Sequence, residues 1–495
     1  MRRIVMPIVL LAIAIGTLIS SNALSNQLHN DLGEMIADDT QLAKVQTPLI
    51  STRRLTNVLA PSLATPELRN TLNELMGRAP AIACMSVALT ERPMPIYESG
   101  TNLRLMPSEA SLLATLATAY KELGPDHTFT TSIAALVEPQ NGVVNGDIYL
   151  VGGGDPLLLT ADYLKALPPN SNSLHTPIEN LAQQLVDNGL RLVTGAVVGD
   201  ASHFDDLRYV STWPESLVQS ENIGTLVGLQ FDDGWVRFPD QKTTQDDPDL
   251  TQENKPAYLS AEDPSFYAAA LFDDMLEARD VVIRRSPRSE ALPEDEQVFV
   301  LGTIQSEPLR KYWQQILENR DVETAEMLLK EIGRSATGQG TTQAGLEAVK
   351  SIFNELDIDS ETQMLGLDGS GLDPANQSAC PLFVALLDSS ELRPLFSDLL
   401  PSMADSEPFQ AKLANIADPA RVKALSATKG DAAVMMGYID IGFGQEITFV
   451  FMANQPNAQN NITLQELQAD IVAYLVGLEG KPSVDDIELL PIHNG

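Results

Sequence analysis

The spacing of apolar residues divides the chain into stretches typical of strands and of helices. Two short apolar runs, Cys84–Leu89 and Pro95–Glu98, predict the strands of a hairpin. Farther on, apolar residues keep helical spacing from Leu112 to Leu123, where a Gly-Pro pair predicts the end of the helix. Ser108 follows a proline that typically opens a helix, so we expect this serine in the first helical turn.

The middle of the chain has a different pattern of apolar residues. Short β-rich runs such as Gly146–Val151 and Leu192–Gly199 flank a predicted helix near Ile178–Asn188. An acidic loop rich in Pro and Gln, Pro239–Pro256, is expected to be exposed. The change of pattern predicts a β-rich module inserted into a larger domain.

Helical periodicity then returns, and a hairpin within Ala432–Ala453 and a last helix, Leu464–Leu478, follow. Antiparallel hairpins with segregated helices predict an α+β fold, and the length of 495 residues predicts more than one domain. The predicted divisions are an N-terminal signal peptide or anchor over 1–23, a first core segment over 24–140, the inserted β-rich domain over 141–304, a second core segment over 305–480 and a tail over 481–495.

Charge and composition exclude several classes of partner. The chain has 32 Lys+Arg against 67 Asp+Glu, a net charge of -35, which repels nucleic acid and anionic membrane surfaces. Its five histidines have no ligand spacing such as HExxH, so the sequence predicts no metal site. The run Gly152–Gly154 lacks the G-K-[ST] of a phosphate-binding loop, and no cofactor is predicted.

The N-terminal residues predict export. Arg2-Arg3 precede an apolar run, Ile4–Ile19, and small residues near Ala23 offer a cleavage site. An uncleaved membrane anchor is the alternative. In an oxidising envelope, Cys84 and Cys380 are compatible with one disulfide, but spacing leaves two buried free thiols equally open.

Ser108 carries the candidate chemistry. A serine hydroxyl is protonated at neutral pH, so attack on a carbonyl needs a base within hydrogen-bond reach, which the i, i+3 spacing of a helix can supply. The residue at that spacing is Ser111, which has no amine. The alternative interpretation is that Ser108 only caps the helix N-terminus.

Several stretches together resemble a known family. These are MPSEASLLATLATAYKELGPDHTFTTSI, DIYLVGGGDPLL, VTGAVVGDASHFDD, DPSFYAAALFDDML, TAEMLLKEIG and LDGSGLDPANQS. In this order they resemble the D-alanyl-D-alanine carboxypeptidase/endopeptidases, the class C low-molecular-mass penicillin-binding proteins. The resemblance implies a penicilloyl-serine transferase core with an inserted domain, acting outside the cytoplasmic membrane on peptidoglycan stem peptides.

The family performs acyl transfer with three motifs of the S-x-x-K, S-x-N and K-T-G kind. The resemblance places the first on Ser108 to Ser111, which keeps the serine and loses the lysine. It places the serine and asparagine of the second at Arg320 and Val322. The third falls on Leu425-Ser426-Ala427, where a leucine cannot bind the substrate carboxylate as the family's lysine does.

Two further features are expected to be structural. The glycine-rich run Asp368–Leu372 predicts a tight turn. Glu326 is expected to be either a buried helix acid that braces the loop of the second motif or a residue on an exposed helix face.

The departures from the family motifs lead to two hypotheses. The first is an exported, catalytically impaired relative that binds peptidoglycan stem peptides or a cell-wall protein. The second is a working D-Ala-D-Ala carboxypeptidase that uses substitutes such as Lys423, Arg320 or Asp321. Lys429 completes a further S-x-x-K pattern, but its predicted place on a strand or turn favours coincidence.

Overall fold

The computed structural model describes residues 56–79, 82–89, 95–167, 174–221, 223–238, 258–403, 409–413, 421–442 and 445–478. Almost all of the described residues belong to one compact unit, Ala60–Gly495. The predicted signal peptide or anchor, the loop Pro239–Pro256 and the tail 481–495 lie outside the described residues. No helix within the described ranges is long and apolar enough to span a bilayer.

The core sheet is antiparallel and has five strands. They are β1 (Ala83–Leu89), β2 (Tyr97–Ser99), β17 (Val422–Lys429), β18 (Ala432–Gly442) and β19 (Gln445–Asn454). Their order in the sheet is β17-β18-β19-β1-β2. The first predicted hairpin and the one near the C-terminus both form, and β1 pairs with β19 to join them.

Both faces of this sheet are covered, which explains the nearly continuous apolar sequence of β18. Met435 and Phe451 pack on one face against the last helix, and Met436 and Met452 pack on the other against the helical region. The last helix is α14 (Ile462–Val476). The other helices outside the middle region of the chain are α1 (Thr56–Met76), α2 (Ser111–Glu122), α7 (Leu309–Asn319), α8 (Val322–Thr337), α9 (Thr342–Glu355), α10 (Ser360–Gln363), α11 (Cys380–Asp388), α12 (Arg393–Leu399) and α13 (Phe409–Leu413).

The middle of the chain forms a second core around a mixed five-stranded sheet. Its strands are β3 (Thr130–Ala135), β5 (Ile148–Val151), β9 (Val197–Asp200), β13 (Arg288–Ser289) and β14 (Phe299–Gln305), in the order β13-β9-β5-β3-β14. The pairs β5/β9 and β9/β13 are parallel, which the predicted hairpin pattern did not include. The helices of this region are α3 (Ala161–Ala166), α4 (Glu179–Asp187), α5 (Glu215–Glu221) and α6 (Pro264–Glu277), of which α4 and α6 pack in this core.

Smaller sheets complete the module and the loops near the core. Their strands are β4 (Val143–Val144), β6 (Leu158–Leu159), β7 (Thr176–Pro177), β8 (Leu192–Val193), β10 (Trp235–Arg237), β11 (Leu259–Ser260), β12 (Val282–Ile283), β15 (Met364–Leu365) and β16 (Gln377–Ser378). The run Leu192–Gly199, expected as one β-rich stretch, is therefore two strands that belong to different sheets.

A disulfide joins the core sheet to the helical region. Cys84 on β1 and Cys380 at the start of α11 are bonded, with 6.1 Å between their Cα atoms. Both residues are fully buried, and the described residues contain no free cysteine. The sequence left open one disulfide or two free thiols, and the disulfide is confirmed.

Candidate active site

Ser108 lies in a short 3-10 turn, Ser108–Ala110, that leads directly into α2. Only 5% of the residue is exposed, and its backbone φ is 48°, in the left-handed region that residues other than glycine rarely adopt. The N-cap positions of the turn and of α2 are Pro107 and Ala110. Ser108 is therefore not the helix cap, and that alternative interpretation is wrong.

A tight turn over 368–372 packs against the Ser108 backbone. A Cβ added at Gly371 would lie 1.8 Å from the Ser108 carbonyl oxygen and 3.0 Å from the Ser111 Cβ. Gly371 also has a φ of 81°, so both the close approach and the backbone conformation require glycine there. This turn, which the sequence predicted, fixes the position of the serine.

Asp368 organises the same turn by accepting four hydrogen bonds from buried donors. The donors are the indole Nε1 of Trp213 at 2.9 Å, the backbone N–H groups of Gly371 at 2.8 Å and Asp373 at 2.6 Å, and the Asn376 side-chain amide at 2.7 Å. Since Trp213 belongs to the middle region of the chain, Asp368 also ties that region to the serine turn.

Glu326 on α8 holds the turn through hydrogen bonds from the turn's backbone. It is fully buried, and its Oε1 accepts hydrogen bonds from the backbone N–H groups of Gly369 at 2.9 Å and Ser370 at 2.7 Å. Burial, and next the negative charge of Asp368, raise the pKa of Glu326 from 4.5 to about 8. The expectation of a buried helix acid is correct, although the loop it supports is the 368–372 turn rather than the loop of the second motif.

This pKa gives a testable pH dependence. Between pH 4.5 and about 8 the folded protein keeps a proton on Glu326 that the unfolded chain releases, so stability falls as pH rises through this window. We expect Glu326→Gln, which resembles the protonated acid, to flatten the decline in denaturant-unfolding free energy across this window. Glu347→Gln, on the exposed face of α9, is the control and should keep the wild-type slope. Equal slopes in all three proteins would contradict the assignment.

The positions predicted for the second motif lie in the connection between α7 and α8. Arg320 is the left-handed C-cap of α7, and Val322 is the first residue of α8. Between them Asp321 caps α8, accepting hydrogen bonds from the N–H and hydroxyl of Thr324 at 2.9 and 2.8 Å. Asp321, which the sequence suggested as a substitute catalytic group, is thus engaged in holding the helix end.

Arg320 connects all three motif segments. Its Nη1 forms an ion pair with Glu109, the neighbour of Ser108, and its Nη2 donates a 2.8 Å hydrogen bond to the carbonyl oxygen of Ser426 on β17. The Glu109 side chain is only 11% exposed. The guanidinium therefore crosses the space beside the serine.

The positions predicted for the third motif are mostly structural. Leu425 and Ala427 are buried in the core, with 3% exposure each, and Ser426 contributes its carbonyl to Arg320. Lys423 donates a 2.6 Å hydrogen bond to the carbonyl of Ser397 and is not among the residues that line the space around Ser108. Lys429, at the end of β17, is the residue of this strand that lines the space around Ser108.

The resulting cleft is narrow. It is lined by Ser108, Glu109, Leu112, Arg320, Val322, Ser370, Gly371, Leu372 and Lys429. The open volume is about 20 Å³, room for about one water molecule. Of the sequence-predicted residues, Ser108, Arg320 and Val322 are brought together here, whereas Ser111, Leu425, Ser426 and Ala427 are not among the lining residues. Glu109 was not anticipated from the sequence, and Lys429 was set aside.

The antiparallel sheet, the buried serine turn before α2 and the converging second segment define a penicilloyl-serine transferase fold. The crystal structure of penicillin binding protein 4 (dacB) from Haemophilus influenzae has this fold and matches with a TM-score of 0.65 at 17% identity, covering 82% of this chain and 99% of that one. Residues 68–238 and 248–475 match the model of the D-Ala-D-Ala carboxypeptidase 3 (S13) family, and the chain belongs to that family.

Two curated relatives agree with this assignment. A D-alanyl-D-alanine carboxypeptidase of Actinomadura sp. (strain R39) is 25% identical over 458 residues, covering 80% of this chain and 82% of the relative. A carboxypeptidase of Mycobacterium tuberculosis (strain ATCC 25618 / H37Rv) is 25% identical over 422 residues, covering 82% and 81%. The predicted family and fold class are confirmed, and the chain resembles serine D-Ala-D-Ala carboxypeptidases of peptidoglycan metabolism.

Proposed function

We propose that this chain is an exported cell-envelope protein of the S13 family that no longer performs efficient acyl transfer. Its role is to bind peptidoglycan stem peptides or a cell-wall protein through the family fold. The peptidoglycan on which the family acts lies outside the cytoplasmic membrane, which supports an extracytoplasmic location. No cofactor belongs to the proposal.

The observation that carries this proposal is the Arg320 bridge. Its contacts with Glu109 and the Ser426 carbonyl occupy the space beside Ser108 with the chain's own side chains. A peptide carbonyl must come within about 3–3.5 Å of the nucleophile, and the Arg320 side chain and the Glu109 carboxylate lie beside Ser108 in the same cleft.

The missing base supports the same conclusion. The residue one helical turn after Ser108 is Ser111, which is buried and carries a hydroxyl in place of an amine. An alcohol at this position cannot hold the serine proton during attack on a carbonyl. Catalytic groups of this kind act as a unit, so loss of one member commonly costs several orders of magnitude in rate.

The position of Lys429 in the cleft supports a second candidate function. Because it lines the cleft with Ser108, its amine is the substitute through which a D-Ala-D-Ala carboxypeptidase activity could persist. Lys423 and Asp321 are weaker substitutes because they are not among the residues that line the cleft. The two candidates differ in whether Ser108 becomes acylated.

Acylation by a fluorescent penicillin tests the proposal. We expect the purified wild-type chain to be labelled at least about 10³-fold more slowly than an active S13 carboxypeptidase, as expected when a unit of catalytic groups is broken. Stoichiometric labelling that disappears in Ser108→Ala would overturn the inactive assignment. Additional loss of label in Lys429→Ala, but not in the exposed-helix variant Lys311→Ala, would identify Lys429 as the substitute amine.

Binding is tested separately by sedimentation with intact peptidoglycan sacculi. We expect wild-type protein to sediment with the sacculi, and Lys429→Glu, which reverses a charge lining the cleft, to sediment less. Lys311→Glu, a reversal on the exposed surface of α7, is the matched control. A wild-type chain that stays in the supernatant would contradict the peptidoglycan-binding role.

A further inference from the structure

A groove between α1 and the strand β2 is larger than the cleft beside Ser108. Its open volume is about 280 Å³, just below the range of about 300–1,000 Å³ that is typical of small-molecule sites. The residues that line it, none of which lines the Ser108 cleft, are Arg69, Asn73, Pro95, Ile96, Tyr97 and Glu98. We call it the α1–β2 groove.

The helix and the strand that form the two walls of the groove are fixed to each other. Leu68 of α1 is buried in the same core cluster as Tyr97. The Tyr97 hydroxyl donates a 3.1 Å hydrogen bond to Oδ1 of Asn73, and Nε of Arg69 donates one of 3.1 Å to the carbonyl oxygen of Ile96. The groove is therefore formed before any ligand binds, which lowers the entropic cost of binding.

The side chains of α1 supply hydrogen-bond donors to the groove. Among the described residues Arg69 forms no ion pair, and its two Nη groups have no hydrogen-bond partner. Since Oδ1 of Asn73 already accepts from Tyr97, the Nδ2 amide is the part of this side chain that remains for a ligand. A guanidinium with two free N–H groups matches the two oxygens of a carboxylate.

The carboxylate of Glu98 lies on the other face of the sheet. Glu98 is paired with Ser86 of β1, whose neighbours Cys84 and Ala88 pack against the helical region. Tyr97 packs in the cluster on the α1 face. Because successive side chains of a strand point to opposite faces, Glu98 contributes its backbone to the groove and directs its negative charge elsewhere.

The strand side of the groove is a sheet edge. β2 is the last strand of the core sheet, and β1 is its one neighbour. An edge strand presents backbone N–H and C=O groups to which an extended peptide can add. The groove follows the four consecutive residues 95–98, which span roughly 13 Å of extended chain. The Tyr97 ring is only 4% exposed, so it offers no face on which a sugar or a base could stack.

We propose that the α1–β2 groove binds the C-terminal end of an extended peptide. The peptide backbone adds to the edge of β2, and the terminal carboxylate lies on the Arg69 guanidinium, with the Asn73 amide as a second donor. This site is separate from the Ser108 cleft, so a peptide can occupy it whatever the serine does.

Fluorescence anisotropy of an L-Ala-L-Ala-L-Ala peptide, labelled at its N-terminus, tests the groove on the full chain. We expect saturable binding with a dissociation constant of about 1 mM or lower, in line with the affinity per atom of small ligands. The C-terminal amide of the same peptide should bind about tenfold more weakly, because hydrogen bonds to a charged group are lost.

Variants of α1 locate the binding. Arg69→Gln should weaken binding of the free acid about tenfold, for the same reason as the amide. Asn73→Asp, which keeps an acceptor for the Tyr97 hydroxyl but adds a negative charge, should also weaken it. Arg78→Gln, which removes an exposed cation that pairs with Asp470 outside the groove, is the matched control and should bind as wild type does.

Lys429→Glu separates this groove from the Ser108 cleft, and it should leave binding of the peptide unchanged. The proposal would be overturned by any of three results: no saturable binding by wild-type protein, equal affinity for the acid and the amide, or undiminished affinity in Arg69→Gln. Competition by acetate as effective as that of the unlabelled peptide would show that a carboxylate alone is bound, and it would overturn the addition to β2.

Discussion

Asp368→Ala is expected to lower the free energy of unfolding by about 3–5 kcal/mol, the cost typical of removing one partner from a buried charged network. Four donors, on Trp213, Gly371, Asp373 and Asn376, would lose their acceptor inside the protein. The residue is only 2% exposed, so water cannot readily replace the carboxylate. Denaturant unfolding, followed by circular dichroism, measures the change.

Asp359→Ala is the matched control for this prediction. Asp359 caps the exposed end of α10, where its Oδ1 accepts from the Thr362 N–H at 3.1 Å. Loss of a helix cap typically costs about 0.5–2 kcal/mol. If the two variants were destabilised equally, the network around Asp368 would not have the role assigned to it.

Removal of the disulfide has the second large expected effect. Replacing both cysteines in Cys84→Ser/Cys380→Ser should lower the free energy of unfolding by about 2–5 kcal/mol, because the unfolded chain regains the freedom of a long loop. The two residues are 296 positions apart in sequence. Unfolding of wild-type protein and of the double variant, each with and without a reductant, measures the effect.

The reductant arm separates the cross-link from the packing of the side chains. We expect a reductant to destabilise wild-type protein and to leave the double variant unchanged. Wild-type protein that unfolds at the same denaturant concentration with and without reductant, while free thiols are shown to form, would contradict the expected contribution of the cross-link.

Much of the architecture was accessible from the sequence because it depends on local patterns. The strands around Cys84 and within Ala432–Ala453, and the helix after Ser108, are encoded by apolar spacing and turn residues. The parallel pairing of β5 with β9 was not accessible, because it joins segments separated by a crossover whose register no short pattern specifies.

The site was predicted incompletely. Placement of the family's second motif on the sequence identified Arg320 and Val322, which do line the cleft with Ser108. Placement of the third motif led to Leu425 and Ala427, which are buried core residues. Lys429, at the end of the same strand, lines the cleft instead. Glu109 was not predicted, because an acidic residue beside a serine forms no recognisable motif in the sequence. Its role depends on the ion pair with Arg320, which only the fold brings close to it.

The close packing of Gly371 against Ser108 limits the size of the side chain that position 111 can accept. A Cβ added at 371 would lie 3.0 Å from the Ser111 Cβ, and Ser111 is only 8% exposed, so a longer side chain at 111 would meet this turn. The Arg320 bridge would still span the neighbouring space. A long side chain introduced at position 111 alone would therefore be crowded by the 368–372 turn, and relief would require further replacements in that turn.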